Sequence, residues 1–598
     1  MAEPTESVEA AGRAAAGREA AFPLRFSTDS PTGAARTYLN DPPTKKLAEF
    51  FCGKGLSAIK DEDRNEAWYE DWLAYQAEHR LYAAVLSPKQ FSSLGFQFDL
   101  LRLTRFLEVF GYFSPAHGYS LQVSFLGLHS ILMGTNDQLK REGVAALEAG
   151  GLLAFGVSEK EHGSDLLGNQ FTVEEISPGR FVANGAKYYI GNANAASMIS
   201  MLAGMKTGHG KRKPPVLFVL RPGQSKGISK AKKIRTLGIR AGFVGAFEVK
   251  QHELPQTDIV AQGRAAWEAV LGTVTLGKFF LGFGSIGICE HALQEAIAHL
   301  SGRLLYGKPV IDMPHIGMAA AAAYARLTAM RLYAYRAVDY VQCAQESDRR
   351  FLLFAAVQKA KVSTEGVKVL ALLSECLGAK GFESDTYFEM ALRDAQLIPA
   401  LEGSTHINLG LTAQFAKQYF GRGRAQPPVA PSLVLREARP EENSYLMQAR
   451  TSAIDTVAFG RFLNAYLPLK SVANVRLVAR QATALGLFVR GRRGRASAAA
   501  EPGIALAVGH CLATVVYAQL IAENSVLLQV PSQIVAAIFH LLVNDLSVSA
   551  LSLASSPRLD TASRNLIRRI VQIPQATEAD WNFVLNRARL GPDYAAGS

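Results

Sequence analysis

Leu392-Arg393-Asp394-Ala395-Gln396-Leu397-Ile398-Pro399-Ala400-Leu401-Glu402-Gly403-Ser404-Thr405-His406-Ile407-Asn408 is the stretch on which the reading of this chain turns. Glu402 stands alone between an apolar run, 397–401, and a small polar turn of Gly403, Ser404 and Thr405. An apolar flank desolvates a carboxyl and raises its pKa, which suits it to take a proton from carbon. Gly403 lets the backbone pass close to a ligand, and the Ser404 and Thr405 hydroxyls and amides can donate to ligand oxygens. The competing reading is an acidic residue at the start of the helix expected over 407–420, where the helix dipole favours a carboxylate.

The 598 residues, 48% apolar and 19% charged, have a globular composition, with length for about three to five domains. A net charge of +12 admits an anionic partner, and no motif points to nucleic acid. Cys52, Cys289, Cys343, Cys376 and Cys511 are odd in number and lack CxxC spacing. That argues against a disulfide framework or a metal site and suits a reducing, cytoplasmic setting. Residues 1–22 are rich in Ala, Glu and Gly, without the apolar core of a secretory signal, and too acidic for a transit peptide. The most apolar later stretch, 504–521, is interrupted by His510, Thr514 and Gln519. It reads as a buried helix, too short and polar for a transmembrane one, so no integral membrane segment is expected.

Along the chain, residues 1–43 read as a flexible leader ending at Pro42-Pro43. Over 44–150, Phe98, Leu101, Leu103, Leu107 and Phe110 recur at helical spacing, and Gly111 and Pro115 punctuate the run. His117 and His129 in this region are expected to be packed rather than ligating. The pattern shifts to strands over 151–264, where Asn184-Gly185 suggests a two-residue hairpin turn and 216–220 a strand closed by Arg221-Pro222-Gly223. The basic loop 210–214 is expected to be solvated. Long amphipathic helices return over 265–425, including 292–304, 319–345 and 351–376. A linker at 422–431 leads to a further helical region, 432–598, with a basic loop at 490–495.

Five segments in order strengthen the catalytic reading of Glu402. Leu392-Arg393-Asp394-Ala395 followed by Glu402-Gly403-Ser404-Thr405 resembles the catalytic-base segment of the acyl-CoA dehydrogenase and acyl-CoA oxidase superfamily. Leu377-Gly378-Ala379-Lys380-Gly381-Phe382 is similar to its Gly-Gly-x-Gly-Phe loop. Residues 157–165, with Ser158-Glu159 and His162-Gly163-Ser164-Asp165, resemble its Thr-Glu-x-x-x-Gly-Ser-Asp loop. Asn184-Gly185-Ala186-Lys187-Tyr188-Tyr189-Ile190 resembles Asn-Gly-x-Lys-x-Trp-Ile, and Arg303-Leu304-Leu305-Tyr306-Gly307-Lys308 resembles Arg-x-x-Phe-Gly-Lys. The set spans residues 115–420. The fold this implies is α+β and mostly α: an N-terminal helical domain (44–150), a middle β-barrel-like domain (151–264) and a C-terminal four-helix bundle (265–425). The extra helical domain (432–598) is placed like that of acyl-CoA oxidases and very-long-chain dehydrogenases.

The resemblance also implies FAD and roles for single residues. Glu402 would take the α-proton of an acyl thioester, and its amide would polarise the thioester oxygen. Phe155, Val157 and Ser158 would line the flavin ring, Tyr189 would cover its face, and Ile190 and Gly191 would follow its edge. Arg303 and Tyr306 would reach the FAD of a neighbouring subunit of a homodimer, with Glu375 and Gly378 near its adenine end. Ser404 and His406 would lie beside its phosphates. Ser164, Lys278, Leu401 and Gly403 would meet the substrate, an acyl-CoA or an acyl-carrier-protein thioester. Electrons would pass to an acceptor such as an electron-transfer flavoprotein or oxygen.

Several positions depart from the family pattern. Gly191 replaces a Thr, Leu401 an aromatic, and Thr275 an Asp. Glu375 replaces a Gln, a carboxylate near phosphates that Lys380 would pair. The alternatives are an oxidase, a carrier-protein-linked dehydrogenase, and a non-catalytic acyl-thioester-binding or assembly protein. The intact Glu402 argues against the last.

Overall fold

The computed structural model describes residues 41–206, 214–421, 429, 441–448, 454–491 and 501–590. The leader up to residue 40, loop residues 210–213, linker residues 422–428 and 430–431, and the basic residues 492–495 lie outside the described residues. The first helix among the described residues, Pro42–Lys54, opens on the two prolines rather than after them. Asp41 caps it, accepting from the Thr44 amide at 3.2 Å, and also pairs with Arg102 at 2.6 Å. Prolines at the start of a helix lose no hydrogen bond, because those amides have no intrahelical partner.

Helices Leu100–Phe113 and Pro115–Leu132 carry the N-terminal contribution to the site. The second is buried on nearly every side, between the sheet and the long helix Gly263–Gly302. Its histidines are packed as expected. His117 meets Ser114 Oγ at 2.8 Å, and His129 lies between Thr273 Oγ1 and the Leu446 carbonyl, each at 3.0 Å.

The middle region is an eight-stranded sheet. Its strands are β1 (Leu152–Gly156), β2 (Thr172–Ser177), β3 (Arg180–Gly191), β4 (Ala196–Met205), β5 (Pro215–Leu220), β6 (Lys232–Lys233), β7 (Val244–Pro255) and β8 (Ile259–Gln262). The order is β6-β7-β3-β2-β4-β5-β8, and β1 and β2 both pair with β4 in parallel. Asn184-Gly185 is not a hairpin turn: β3 runs through it unbroken. The ladder to β7 slips one residue there, as at a bulge, and a side chain at Gly185 would lie 2.5 Å from the Phe171 ring. The tight turn sits earlier, at Pro178-Gly179 between β2 and β3, where Gly179 has φ 75°.

The bundle consists of Gly263–Gly302, Pro314–Gln342, Phe351–Val357 continued through Ser363–Leu377, and Tyr387–Leu397. The helix expected over 292–304 is the last part of a 40-residue helix that is apolar and mostly buried rather than amphipathic. Glycines let it lie against Leu100–Phe113 almost backbone to backbone, since a side chain at Gly111 or Gly287 would strike the other helix's carbonyls. Residues Gln358–Val362 form a π-helical turn within an otherwise continuous helix.

The C-terminal region packs Ala473–Arg490, Pro502–Leu527, Ser532–Ala554, Thr561–Arg568 and Glu578–Arg589 onto one flank of the bundle. The contact includes buried charge. Asp545 meets Arg326 at 3.0 Å, Lys361 at 3.1 Å and Lys368 at 3.2 Å, and Glu365 meets the same three cations. Glu523 meets Arg336 at 2.9 Å. The helix expected over 504–521 is longer than that, 26 residues. With Gly263–Gly302 and Ser532–Ala554 it is long and apolar enough to cross a membrane by length and composition, which corrects the sequence-based expectation. In this fold 78%, 72% and 56% of the respective apolar windows of Gly263–Gly302, Pro502–Leu527 and Ser532–Ala554 are buried inside the protein.

Candidate active site

The turn that carries Glu402 is built by the chain ends around it. Thr386 caps Tyr387–Leu397, and Pro399 closes that helix with a single 3-10 turn, Ile398–Ala400. Glu402 and Gly403 then both take left-handed backbone angles, φ 52° and 87°, and Ser404 caps the next helix, Thr405–Gln414. Glu402 therefore stands two residues ahead of the cap and is not the acidic first-turn residue of the competing reading. A left-handed residue with a side chain costs about 1–2 kcal/mol, so the surroundings hold this carboxylate in place against local preference.

Those surroundings are two lysines and a tyrosine. Glu402 keeps partial contact with solvent, yet protein surrounds it, as at the floor of a cleft. Burial pushes its pKa up to about 7, against the opposing pull of Lys359 and Lys278. Lys278, on Gly263–Gly302, is 5% exposed, and burial lowers it to about 8 while Glu402 opposes the shift. Lys359 is fully buried in the π-turn, where it falls to about 7 by burial, again opposed by Glu402. Its ammonium donates to the Ile398 carbonyl at 2.7 Å, at the base of the turn that carries Glu402. Two lysines and a carboxyl, each shifted by burial toward its neutral form, thus share one site.

An apolar cavity opens beside them, with about 460 Å³ of empty space counting its mouth. Leu107, Phe110, Phe280, Leu281 and Leu401 line it, with Tyr119 between the cavity and Glu402. Among the described residues no charged side chain lines it. Tyr119 also accounts for Gly191: a side chain there would lie 2.7 Å from the Tyr119 hydroxyl and 2.6 Å from Val123. The sequence reading missed Tyr119 and Lys359. Tyr119 is hidden in an apolar helix. The signal for Lys359 was the pair Lys359 and Lys361 directly after the apolar run 351–357.

The loop after β1 is fixed from beneath. Lys187, 1% exposed, donates to the Val157 carbonyl at 3.0 Å and pairs with Glu159 at 3.2 Å, and Glu159 accepts from the Gln170 and Phe171 amides. Ser158 spends its hydroxyl proton on the Tyr188 carbonyl at 2.6 Å, so only its lone pairs remain for a ligand. Phe155, Val157, Ile190 and Gly191 are buried around this loop, and Tyr189 shows an open ring, 56% exposed, at φ 63°. Ser164 is exposed, next to the pair His162–Asp165 at 3.4 Å.

A second group gathers elsewhere. Arg303 and Lys380 both act on His299, so the hairpin after Gly263–Gly302 and the 378–382 loop are neighbours. Tyr306, at the hairpin tip, is 97% exposed. Glu375 and Gly378 are exposed as well. Lys380 pairs with Glu383, not with Glu375 as expected, because Glu383 is three residues away across the same turn. Arg393 pairs with Asp63 at 2.6 Å and Glu389 at 2.5 Å. Asp394 points inward to accept from the Ile239 amide at 2.6 Å, and burial pushes it up to about 7. His406 is exposed, and the Ser404 hydroxyl makes no capping bond among the described residues.

Known proteins resemble this chain in sequence and in fold. Residues 154–251 match the acyl-CoA dehydrogenase middle domain, and residues 266–417 match the acyl-CoA dehydrogenase C-terminal domain. The short-chain-specific acyl-CoA dehydrogenase of Megasphaera elsdenii is 24% identical over 282 residues, 47% of this chain and 71% of that protein. The glutaryl-CoA dehydrogenase of Desulfococcus multivorans is 25% identical over 367 residues, 61% of this chain and 92% of that protein. A crystal structure of an acyl-CoA dehydrogenase complexed with FAD from Bacillus anthracis superposes with a TM-score of 0.73 at 15% identity. It covers 94% of this chain and 96% of that one, so the likeness extends into the C-terminal helices. Over its middle and C-terminal domains, the chain is thus similar to the acyl-CoA dehydrogenases.

Proposed function

We propose that this protein is an FAD-dependent acyl-CoA dehydrogenase that desaturates an uncharged, apolar acyl group between its α- and β-carbons. The observation that carries the reading is Glu402: a carboxylate near pH 7 in its proton affinity, next to an apolar cavity with no charged lining among the described residues. The residues around it suit the cofactor. Tyr189 offers an open aromatic face, Ser158 offers lone pairs, and the amides at the start of Thr405–Gln414 are free of the Ser404 hydroxyl. Arg303 and Tyr306 stand outward, and in a cytoplasmic homodimer they would serve the second copy.

The chain's own part in the reaction follows from these positions. Leu401 and the cavity wall hold the acyl group and exclude water from its α-carbon. The Glu402 amide has no acceptor among the described residues and can donate to the thioester oxygen, drawing charge from the α-carbon. The Glu402 carboxylate then takes the α-proton. FAD, when bound, supplies the acceptor for the β-hydrogen, which leaves as hydride, a role no side chain can fill. Electrons would then leave to an electron-transfer flavoprotein or another acceptor.

Glu402→Gln keeps shape and removes the proton acceptor. Under anaerobic conditions, flavin reduction by a panel of straight-chain acyl-CoA substrates should fall at least about a hundredfold. FAD content should hold. Flavin reduction at the parental rate in this variant would place the base elsewhere.

A further inference from the structure

The π-turn Gln358–Val362 inserts a residue into a helix that is regular on either side, and such insertions re-aim side chains, often at functional sites. Here the turn sends two lysines opposite ways. Lys361 meets Asp545 and Glu365 on the flank covered by the C-terminal helices. Lys359 goes inward, fully buried, to the Ile398 carbonyl at 2.7 Å. Ile398 begins the 3-10 turn from which Leu401 and Glu402 follow. A buried ammonium with one carbonyl partner is poorly compensated unless an anion lies near it, and Glu402 is the carboxylate that acts on it.

We propose that Lys359 is the positioning residue of the catalytic carboxylate: its ammonium clamps the turn that presents Glu402 and supplies the positive charge that keeps Glu402 ionised beside an apolar cavity. This rests on the reading of Glu402 as the base. The other titratable groups that face Glu402 are Lys278 from Gly263–Gly302 and Tyr119 from Pro115–Leu132. On its far side the π-turn faces Glu365, Asp545, Arg326 and His510, which engage Lys361. Lys278 adds charge but, among the described residues, makes no hydrogen bond to the turn; Lys359 does both. Removing the Lys359 charge disfavours the ionised base, so less of it is competent at neutral pH.

The test uses the FAD-loaded full chain. Lys359→Met keeps the stem and removes the charge, and Lys359→Arg restores a cation. Anaerobic flavin reduction by octanoyl-CoA is followed between pH 6 and 9, beside the parent and Glu402→Gln. The acidic limb of the rate profile should move up by about one pH unit in Lys359→Met, the smaller end of what a neighbouring opposite charge does. Lys359→Arg should return it toward the parent. Melting of the parent, both single variants and the Lys359→Met/Glu402→Gln double variant needs no substrate, and decides alone if octanoyl-CoA does not reduce the flavin. Lys359→Met should cost less stability when Glu402 is already Gln, most clearly near pH 7, where the carboxylate and the ammonium are charged together, and the difference should fade on either side. A purely structural lysine gives an unmoved limb and additive melting shifts, and that result overturns the proposal while leaving Glu402 as the base. Parental rates in Glu402→Gln overturn the reading beneath it instead.

Discussion

Asp545→Asn tests how the C-terminal helices are held to the bundle. The carboxylate lies within 3.0–3.2 Å of Arg326, Lys361 and Lys368, and Glu365 is the second anion among these cations. Asparagine keeps the shape and leaves Glu365 alone with all three, so the excess of cations in a largely buried cluster rises from one to two. Breaking a buried pair costs about 3–5 kcal/mol. Lys368 is 44% exposed and its share is mostly screened, so the lower end, about 3 kcal/mol, is expected by urea unfolding at pH 7. The pH dependence gives a second check. Burial pushes Asp545 up, but Lys361 and Arg326 outweigh it and hold the carboxyl well below the usual range. A depressed carboxyl contributes stability above its unfolded pKa of about 3.9 and loses it as pH falls through the folded value. The penalty of the variant should therefore be complete at pH 7 and shrink in strong acid. A penalty below about 1 kcal/mol, the scale of an exposed pair, or one unchanged in acid, would refute this account.

Two further outcomes are expected. Asp394 is raised by burial, so the parent loses stability from this group as pH climbs from about 4 toward and past 7. Asp394→Asn should gain on the parent in melting temperature across that window, and parallel curves would count against it. Arg303→Ala should weaken FAD retention and dimerisation together, by about 2 kcal/mol for a lost charge-assisted bond. Flavin absorbance after gel filtration and mass by light scattering read both, and no change in either would remove Arg303 from the subunit boundary.

The catalytic turn was legible because its chemistry is local: an isolated acid, a glycine and two hydroxyls within four residues. The succession of helical, sheet and helical regions was legible for the same reason, since each rests on short-range periodicity. What escaped depended on contacts distant in sequence. Lys359 lies 43 positions before Glu402 and is turned inward by a π-turn that a regular helical period does not register. Asn184-Gly185 looked like a reversal because glycine favours one, yet here glycine makes room for Phe171. Arg393 and Asp394 are adjacent in sequence, but successive residues on a helix point about 100° apart and meet different neighbours. The Pro502–Leu527 helix runs past the apolar stretch because Glu523 and Asn524, polar residues that end that stretch in sequence, meet Arg336 and the Leu332 carbonyl on its packed face.

Glu402 is the least comfortable residue of its turn: left-handed without being glycine, and acidic where burial resists charge. A carboxyl raised in the folded state gives up stability as pH rises from its unfolded value through the folded one, so at neutral pH and above the base weighs against the fold that displays it. The Gln variant should melt at a higher temperature than its parent there. Selection for activity is thus what retains the acid. In a lineage freed from that demand, drift toward glycine, asparagine or glutamine at this one position would relieve the turn and be resisted only by Lys278 and Lys359, which would lose their anion. The fold would outlive its chemistry, and a silent descendant would be sturdier than the working enzyme.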